Sequence, residues 1–482
     1  PPPAHDAPPP PTPPPPPPSP LPRRPRQREF HERAVPANPL ARVIGFGSLF
    51  AGLAAGTAAE GVRRALGVSK ATEGAGLVLT EANAERLAAT LCRMRGAALK
   101  LGQMLSIADE TVVPPAVQEV LERVRQQADI MPRHQLHQAL KAAFGPGWRD
   151  LVAEFDDVPI AAASIGQVHR AVLHDGREVA MKVQYPGVAR SIDSDLDNVK
   201  RILLLGDLLP KGLYLDRVVD VARGELKREC DYRIEAANQT RFRALVGDDS
   251  FLHVPAVVPE LSSELVLTTE LIDGVPIDQV THLSQDVRDN IARQLLRLTL
   301  HELFVWRFMQ TDPNWGNFFY DARRHRLHLL DFGAAREYPK AFVDDYLRLV
   351  WAAAQDDREA IIEHSLALKL ITGHETAEML DAHVDAGMAV GEPFQSYEPF
   401  DFHASGITSR VAKHGDTFAE YRLTPPPDEI YSLHRKLAGA FFICIRMGAV
   451  MSCRDMLEDI YKAHDFGAPA AAQGGAGGAG AE

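Results

Sequence analysis

The chain has 482 residues, a formal net charge of −12 and 45% hydrophobic residues, which allows one large or two ordinary domains with a sizeable core. The acidic balance argues against general nucleic-acid binding, which depends on a basic surface. The widely spaced cysteines form no metal-type pair and indicate reduced thiols in a protein that is not secreted; they are Cys92, Cys230, Cys444 and Cys453.

The N-terminal segment lacks the composition of a packed domain. Residues 1–22 are mostly proline and predict a solvated tail. Residues 23–42 carry six arginines, which fit either a solvated linker or a patch that binds anionic lipid at a membrane surface. We therefore predict a disordered tail over residues 1–42.

An uncharged stretch follows at residues 43–59. Its length is at the short limit for a membrane-spanning helix, and its glycine and alanine content makes it weakly apolar. Gly52 and Gly56 would let two such helices pack closely in lipid. Residues 43–60 are thus predicted to form a membrane-associated helix, with a flexible or buried glycine-rich segment as the alternative.

Residues 81–150 predict a helical region. Apolar residues recur at helical spacing over 81–108, and shorter helices are predicted at 116–127 and 134–144. Lys100 and Gln103 are neighbours on a second face of the first helix, with Gly102 thinning the surface between them. Spacing alone favours a solvated surface for these residues over a functional site.

A β-hairpin is predicted from strands at Gln167–Leu173 and Glu178–Gln184, because Asp175-Gly176 is a typical turn between them. Lys182 lies in the second strand among apolar neighbours, where a lysine needs a partner anion. Its V-A-M-K setting is typical of the lysine that contacts phosphates in kinases.

The loop before the hairpin reads Ala161-Ala162-Ala163-Ser164-Ile165-Gly166. A kinase would carry several glycines here, whereas this loop has one. Alanine methyl groups restrict the backbone and limit how closely it wraps around phosphates. We therefore expect this loop to change the chemistry that a kinase-like site performs.

Residues Val218–Val246 predict one long helix. Among its carboxylates are Glu225, Glu229, Asp231 and Glu235. One of them is expected to meet Lys182, but helical spacing does not identify which.

The second half of the chain is predicted to be mainly helical. A strand at Leu265–Leu271 precedes it, and an apolar helix at Asp286–Phe308 begins it. Further helices are predicted at Ala341–Gln355, Arg358–Leu368, Thr376–Val390 and Tyr431–Met447. Residues 466–482 predict a disordered tail rich in glycine and alanine.

The stretch T-D-P-N-W-G-N at residues 311–317 contains Asp312 and Asn317, and two short predicted strands separate it from Asp331-Phe332-Gly333. Phosphoryl transfer in kinases uses an aspartate near the attacking oxygen, an asparagine on the metal, and an Asp-Phe-Gly carboxylate that bridges metal and phosphates. Each motif alone occurs by chance in turns. Their order and spacing together predict a kinase-like nucleotide site that uses a hard divalent cation.

Together these residues resemble the UbiB family of atypical kinases, also called aarF-domain-containing kinases, over roughly residues 30–465. The motifs that carry the resemblance are Lys100-Leu101-Gly102-Gln103, Ala161-Ala162-Ala163-Ser164, Glu229-Cys230-Asp231, T-D-P-N-W-G-N and Asp331-Phe332-Gly333. The chain most resembles the mitochondrial branch of this family, which supports ubiquinone biosynthesis. The segments that carry this resemblance are T-D-P-N-W-G-N-F-F-Y, E-C-D-Y and P-P-P-D-E-I-Y-S-L-H-R-K.

The resemblance implies an α+β, two-lobed protein-kinase-like fold, with lobes at residues 151–272 and 273–465 and a helical extension at 81–150 over the active site. It also implies roles for site residues. Lys182 would contact the α- and β-phosphates and pair with Glu235, Asp312 would stand where the proton acceptor stands, and Asn317 and Asp331 would hold Mg²⁺.

The resemblance places the remaining site residues as well. Ala161, Ala162, Ala163 and Ser164 would lie beside the nucleotide, and the backbone of Thr269, Glu270, Leu271 and Ile272 would read adenine. The face that carries Lys100, Gly102 and Gln103 would meet Glu229 and Asp231, and would fill the space where a protein substrate normally docks.

The leading functional hypothesis is an ATP- and Mg²⁺-dependent enzyme that hydrolyses ATP or phosphorylates a small or lipid substrate, such as a quinone precursor. It would work on an anionic membrane surface, peripherally or as a single-pass protein of the mitochondrial inner membrane, and would support a quinone-biosynthesis complex. A plastid location is the alternative, and a homodimer is a further expected association. The competing functions are a lipid-binding chaperone that uses ATP or ADP only as a conformational ligand, and a conventional protein kinase.

Overall fold

The computed structural model describes residues 31–32, 129–204, 215–312 and 314–466. The predicted membrane-associated helix at 43–60 lies outside these residues. So do the predicted helices at 81–108 and 116–127, and with them Lys100, Gly102 and Gln103. The N-terminal tail, apart from residues 31–32, and the C-terminal tail beyond residue 466 also lie outside them.

The N-terminal part of the described chain is built on one antiparallel sheet. Before it, β1 (His31–Glu32) pairs in parallel with β2 (Asp129–Ile130), and α1 spans Arg133–Phe144. The sheet has the order β3-β5-β6-β8, with β4 also paired to β5. Its strands are β3 (Glu154–Phe155), β4 (Ala161–Ala162), β5 (Gly166–Val172), β6 (Glu178–Gln184) and β8 (Val266–Glu270).

The predicted hairpin is present, and its side chains alternate as a strand period requires. In β6, Val179, Met181 and Val183 are buried, whereas Ala180 and Lys182 between them point to the opposite face. The buried set packs against α1 in a core that includes Leu136, Leu140, Trp148 and Val266.

Three helices and a short strand separate β6 from β8 along the chain. These elements are α2 (Val188–Leu204), α3 (Leu215–Glu229), α4 (Tyr232–Val246) and β7 (Leu252–His253). The prediction of one helix over Val218–Val246 is wrong, because the chain breaks at Cys230-Asp231. The Asp231 carboxylate accepts a hydrogen bond from the Arg233 N–H at 3.0 Å and caps α4, which is a favoured role for aspartate.

The C-terminal part is mainly helical and surrounds the largest apolar core of the described residues. Its strands are β9 (Val275–Pro276), β10 (Phe308–Gln310), β11 (Phe318–Asp321), β12 (Arg326–Leu329), β13 (Ala335–Glu337), β14 (Phe400–Asp401) and β15 (Val450–Met451). Its helices are α5 (Gln285–Leu300), α6 (Lys340–Ala354), α7 (Arg358–Ala367), α8 (Ala377–Gly391), α9 (Ile407–Ala412), α10 (Gly415–Tyr421), α11 (Asp428–Met447) and α12 (Arg454–Ala463). The sequence did not predict α2, α9, α10 and α12.

The predicted helix over Asp286–Phe308 ends early. It passes at His301–Val305 into a π-helical turn, and the chain is extended again at β10, which pairs antiparallel with β13. The sequence does not reveal where the helix ends, because the buried strand is as apolar as the helix before it. A short apolar run is compatible with either structure. The strands predicted between the two acidic motifs are present as β11 and β12, in a sheet of order β7-β12-β11-β9.

A close approach of α8 to α6 depends on one glycine. A Cβ atom at Gly391 would lie 2.5 Å from the backbone carbon and from the Cβ of Ala353. We predict that Gly391→Ala lowers the free energy of unfolding by about 1–3 kcal/mol, because overpacking forces the backbones apart. Urea unfolding monitored by circular dichroism measures this change.

The matched control is Gly224→Ala in α3, where a Cβ would meet nothing within 4 Å. Alanine gains about 1 kcal/mol of helix propensity in a helix interior, where Gly224 lies. The control should therefore be neutral or stabilising, and a similar response of both variants would refute the close approach.

Candidate nucleotide site

One face of the N-terminal sheet carries the candidate phosphate-binding lysine. Lys182 lies opposite Val168 on β5 and opposite Leu267 on β8, and Ala180 lies opposite Thr269. Directly opposed residues share a face of the sheet. We call this set, Val168, Ala180, Lys182, Leu267 and Thr269, the cleft face, because the other face is filled by the apolar core under α1.

Lys182 forms an ion pair with α4. Its Nζ lies 2.8 Å from Oε1 and 2.9 Å from Oε2 of Glu235, and 3.5 Å from Oδ2 of Asp331. The Glu235 side chain is only 4% exposed. Among the carboxylates on α3 and α4 that spacing left open, Glu235 is therefore the one in contact with Lys182, as the resemblance implied.

The charges of this group are strongly coupled. Burial would lower the pKa of Lys182, but Asp331 and Glu235 outweigh it and raise that pKa well above its ordinary value, so the lysine stays charged. Burial raises the pKa of Glu235 to about 7 against the attraction of Lys182, and Asp331 adds to the rise. One ammonium thus faces two carboxylates, which is a setting that favours an additional cation.

Asp312 and Asn317 lie on one loop. The Asn317 Nδ2 donates to Oδ2 of Asp312 at 3.1 Å and to its carbonyl oxygen at 3.3 Å. A short turn at Trp315–Asn317 brings the two together, and Asn314 caps it by accepting from the Gly316 N–H. The Leu330 N–H donates to the Asn317 carbonyl at 2.8 Å and ties this loop to the segment that enters Asp331.

Asp331 has a left-handed backbone, with φ of 60°. For a residue other than glycine this costs on the order of 1–3 kcal/mol and persists only where the surroundings impose it. The Asp331 carbonyl accepts from Gln310 Nε2 at 3.1 Å, and the Phe332 carbonyl accepts from Asn238 Nδ2 at 3.0 Å. The Phe332 ring is buried, and its centroid lies 4.8 Å from the centroid of the Phe242 ring. This packing holds the turn against α4.

The donor set fits magnesium. The Asp331 side chain is 37% exposed, and with the Asn317 amide oxygen it offers one carboxylate and one amide ligand, while Asp312 lies beside Asn317. Within the described ranges, no three His, Cys, Asp or Glu side chains are arranged to hold a metal ion by themselves. Magnesium in kinases takes one or two carboxylates and completes its shell with phosphate and water oxygens, so this smaller set is sufficient.

The alanine-rich loop is tied to the sheet. Ala161 and Ala162 pair with Val168 and Gln167 as strand residues, and the Ala163 N–H donates to the Gly166 carbonyl at 2.8 Å. A Cβ at Gly166 would lie 2.5 Å from the Val183 carbonyl oxygen, so the one glycine of the loop is required by a close approach of two strands. Ser164 lies within this tight turn.

The segment after β8 was predicted to read adenine through its backbone. The Glu270 N–H donates to the Ala256 carbonyl at 2.8 Å, and the Leu271 N–H donates to the Glu178 carbonyl at 3.1 Å. Adenine recognition through these two N–H groups would require both bonds to be exchanged. Thr269 lies on the cleft face, and Ile272 follows directly after this pair.

The remaining predicted residues divide into two groups. Glu229 lies near the Asp-Phe-Gly turn, because its Cγ is 3.5 Å from the position of a Cβ on Gly333. Asp231 binds the Arg233 side chain at 2.7 and 2.8 Å besides capping α4. Their predicted partners Lys100 and Gln103, with Gly102, lie outside the described residues.

Two buried cations on α11, Arg435 and Lys436, were not predicted as site residues, yet they contact Thr311 and Gln310 directly before Asp312. They belong to the stretch P-P-P-D-E-I-Y-S-L-H-R-K, which served only as a mark of resemblance. The signal that could have identified them is a pair of cations at core-facing positions of an apolar helix, since a buried charge needs a partner.

We predict that Lys182→Met lowers the free energy of unfolding by about 3 kcal/mol near pH 8, since it leaves Glu235 buried and unpaired. The loss should shrink near ~pH 5.5. The pKa of Glu235 is raised from 4.5 to about 7, so the folded protein binds this proton more tightly than the unfolded chain. Stability therefore falls as pH rises through this window, which urea unfolding at both pH values measures.

The control for this experiment is the double variant Lys182→Met, Glu235→Gln. It buries no unpaired charge and should show a smaller loss that does not depend on pH. The same loss for Lys182→Met at both pH values would contradict the coupling of the two side chains.

The chain is similar to proteins of one family. Residues 123–365 match the ABC1 atypical kinase-like domain. The mitochondrial atypical kinase COQ8B of Rattus norvegicus is 51% identical over 431 residues, covering 89% of this chain and 82% of that protein. The mitochondrial atypical kinase COQ8 of Saccharomyces cerevisiae is 40% identical over 430 residues, covering 89% and 86%.

The mitochondrial atypical kinase coq-8 of Caenorhabditis elegans is 50% identical over 445 residues, covering 91% of this chain, which spans 59% of that relative's length. Among solved structures, the Rv3197–erythromycin complex from Mycobacterium tuberculosis matches with a TM-score of 0.55 and 27% identity, over 78% of this chain and 95% of the other. No helix in the described ranges combines the length and apolarity needed to cross a bilayer.

These matches confirm the resemblance drawn from the motifs and the kinase-like fold of mixed helices and sheets. The chain belongs to the ABC1 atypical kinase family.

Proposed function

We propose that the protein is a kinase-like enzyme that binds ATP with Mg²⁺ and either hydrolyses it or phosphorylates a small or lipid substrate, in support of ubiquinone biosynthesis. The observation that carries the proposal is that five of the predicted site side chains form one group of three and one pair on four segments of the chain. Lys182 contacts Glu235 and Asp331, and Asn317 contacts Asp312 on the adjoining loop.

Each side chain has a role in this proposal. Lys182 holds the α- and β-phosphates, and Glu235 fixes the position of its ammonium on the cleft face. Asn317 and Asp331 hold the metal, which when bound neutralises phosphate charge. Asp312 accepts the proton of the attacking water or hydroxyl as the new P–O bond forms and the bond to the β-phosphate breaks, which releases ADP.

Two features around the site support the proposed substrate class. The β-ladder that holds Ala161–Ala163 limits how closely this loop can contact the phosphates. We propose that Lys100 and Gln103 occupy the groove where a protein substrate would dock. A small molecule or a lipid resembling a quinone precursor is therefore preferred to a protein in trans. We propose an anionic membrane surface of the mitochondrion, a quinone-biosynthesis complex and a second copy of the chain as partners, in keeping with relatives named mitochondrial.

We predict that the full-length chain hydrolyses ATP in a Mg²⁺-dependent manner, that anionic liposomes increase the rate, and that Asp331→Asn lowers it by about 100-fold or more. The carboxylate is needed because the amide that replaces it cannot neutralise the metal. Phosphate release with and without liposomes measures the effect.

The control is Asp381→Asn, which removes a carboxylate that is 74% exposed on α8. It should leave turnover unchanged. If the wild-type chain binds ATP but releases no phosphate under any of these conditions, the nucleotide-gated lipid chaperone replaces the enzyme as the proposed function.

We also predict that Ala163→Gly alters the relative affinities for ATP and ADP or permits autophosphorylation. Glycine removes the methyl group that restricts the loop, a change of about 0.5–1 kcal/mol in backbone freedom. Nucleotide titration and intact-mass measurement after incubation with ATP are the readouts. Ala153→Gly, at an N–H that donates to Val172 outside the loop, is the matched control; no difference between the two variants would refute the role of the alanines.

A further inference from the structure

Two adjacent cations are buried in the middle of α11. The side chain of Arg435 is 4% exposed and that of Lys436 is 3% exposed. Their neighbours Leu433 and Leu437 are part of the apolar core. Burying a cation is costly unless its partners are well placed, so the bonds of this pair identify what it holds.

Arg435 binds the residue directly before Asp312. Its Nε donates to the Thr311 carbonyl at 3.0 Å, and its Nη2 donates to Thr311 Oγ1 at 3.3 Å and to Oε2 of Glu225 at 3.2 Å. Burial would lower the pKa of Arg435, but Glu225 and Asp312 raise it. Thr311 Oγ1 in turn donates to the carbonyl of Ala334, directly after the Asp-Phe-Gly turn, at 2.7 Å.

Lys436 reaches Asp331 through one intermediate. Its Nζ donates to Gln310 Oε1 at 3.1 Å and pairs with Oε2 of Glu302 at 3.1 Å. Because the amide oxygen of Gln310 faces Lys436, the amide nitrogen faces the other way and donates to the Asp331 carbonyl at 3.1 Å. Lys436 thus sets the direction of the hydrogen bond that restrains the left-handed backbone of Asp331.

The two cations therefore tie both motif loops to one helix. Asp312 and Asp331 lie on separate segments, yet Gln310 and Thr311 are consecutive residues held by consecutive residues of α11. Glu225 of α3 and Glu302 of the π-helical turn complete the pair of anchors. The distance between the two aspartates then depends on the rigidity of α11 and not only on the loops themselves.

We propose that Arg435 and Lys436 are positioning residues for the reaction: Arg435 orients Asp312 through Thr311, and Lys436 orients Asp331 through Gln310. The inference rests on the proposed function, because it assigns these residues to the same magnesium–nucleotide site. It predicts different effects for the two cations, since Asp312 acts in the chemical step and Asp331 holds the metal.

The first test is the double variant Lys436→Met, Glu302→Gln, which leaves no unpaired buried charge. The Mg²⁺ concentration that half-saturates nucleotide binding should rise roughly tenfold or more, because the bond that orients Asp331 is lost. Lys436→Arg, which keeps a cationic donor, should recover part of this shift. The matched control is Arg348→Met, Asp345→Asn, which neutralises a largely buried ion pair on α6 and should not change the Mg²⁺ requirement.

The second test is Arg435→Lys, which keeps a charge beside Glu225 but cannot bind both Thr311 oxygens and Glu225 as the guanidinium does. Its kcat should fall roughly tenfold while its KM for ATP stays unchanged. If kcat falls only in proportion to the amount of folded protein in Arg435→Lys, in the Lys436→Met, Glu302→Gln variant and in the control, the assignment is overturned. The two cations then have only a structural role.

A third measurement is independent of nucleotide. Hydrogen exchange of the unliganded protein should speed up in residues 308–317 and 330–337 of the Lys436→Met, Glu302→Gln variant and not in the Arg348→Met, Asp345→Asn control. Unchanged exchange in these segments overturns the positioning proposal even if the protein is an ATPase. Faster exchange in a protein whose wild type shows no Mg²⁺-dependent nucleotide binding would support the anchoring and reject the proposed function instead.

Discussion

The ammonium of Lys182 joins three parts of the molecule that are far apart in sequence. β6 supplies the lysine, α4 supplies Glu235, and the turn after β12 supplies Asp331. A lysine buried in a strand is unfavourable without these carboxylates, and Glu235 is equally unfavourable at its depth without the lysine. The sheet, the helix and the Asp-Phe-Gly turn are thus held together by one ion-pair group, in which Glu235 is buried and Lys182 is largely buried.

This constraint explains why the break at Cys230-Asp231 matters. If Val218–Val246 were one continuous helix, Glu225, Glu229 and Glu235 would all lie along a single helix axis. In the structure α3 presents Glu225 to Arg435, whereas α4 presents Glu235 to Lys182. The cap at Asp231 thus lets one acidic stretch pair with two different cations, Arg435 and Lys182.

The sequence was informative where a local rule determines the structure. The hairpin followed from Asp175-Gly176 and strand alternation, and the strands β11 and β12 followed from the apolar pattern before Asp331. Helical spacing could not select Glu235 among four carboxylates, and the resemblance supplied that choice. Local patterns also failed where tertiary contacts decide: Phe308–Gln310 is a strand because β13 pairs with it, and Arg435 and Lys436 are buried because Glu225 and Glu302 lie beside them.

The ladder between the alanine-rich loop and β5 has a consequence for how a ligand is received. Ala161, Ala162 and Ala163 already have backbone partners in the sheet. Their conformational entropy is lost when the chain folds, and not when a nucleotide arrives. The affinity for nucleotide should benefit because the loop is already ordered. The loop lacks, however, the mobility with which a glycine-rich loop closes over phosphates. We therefore expect the loop to change its conformation little when a nucleotide binds.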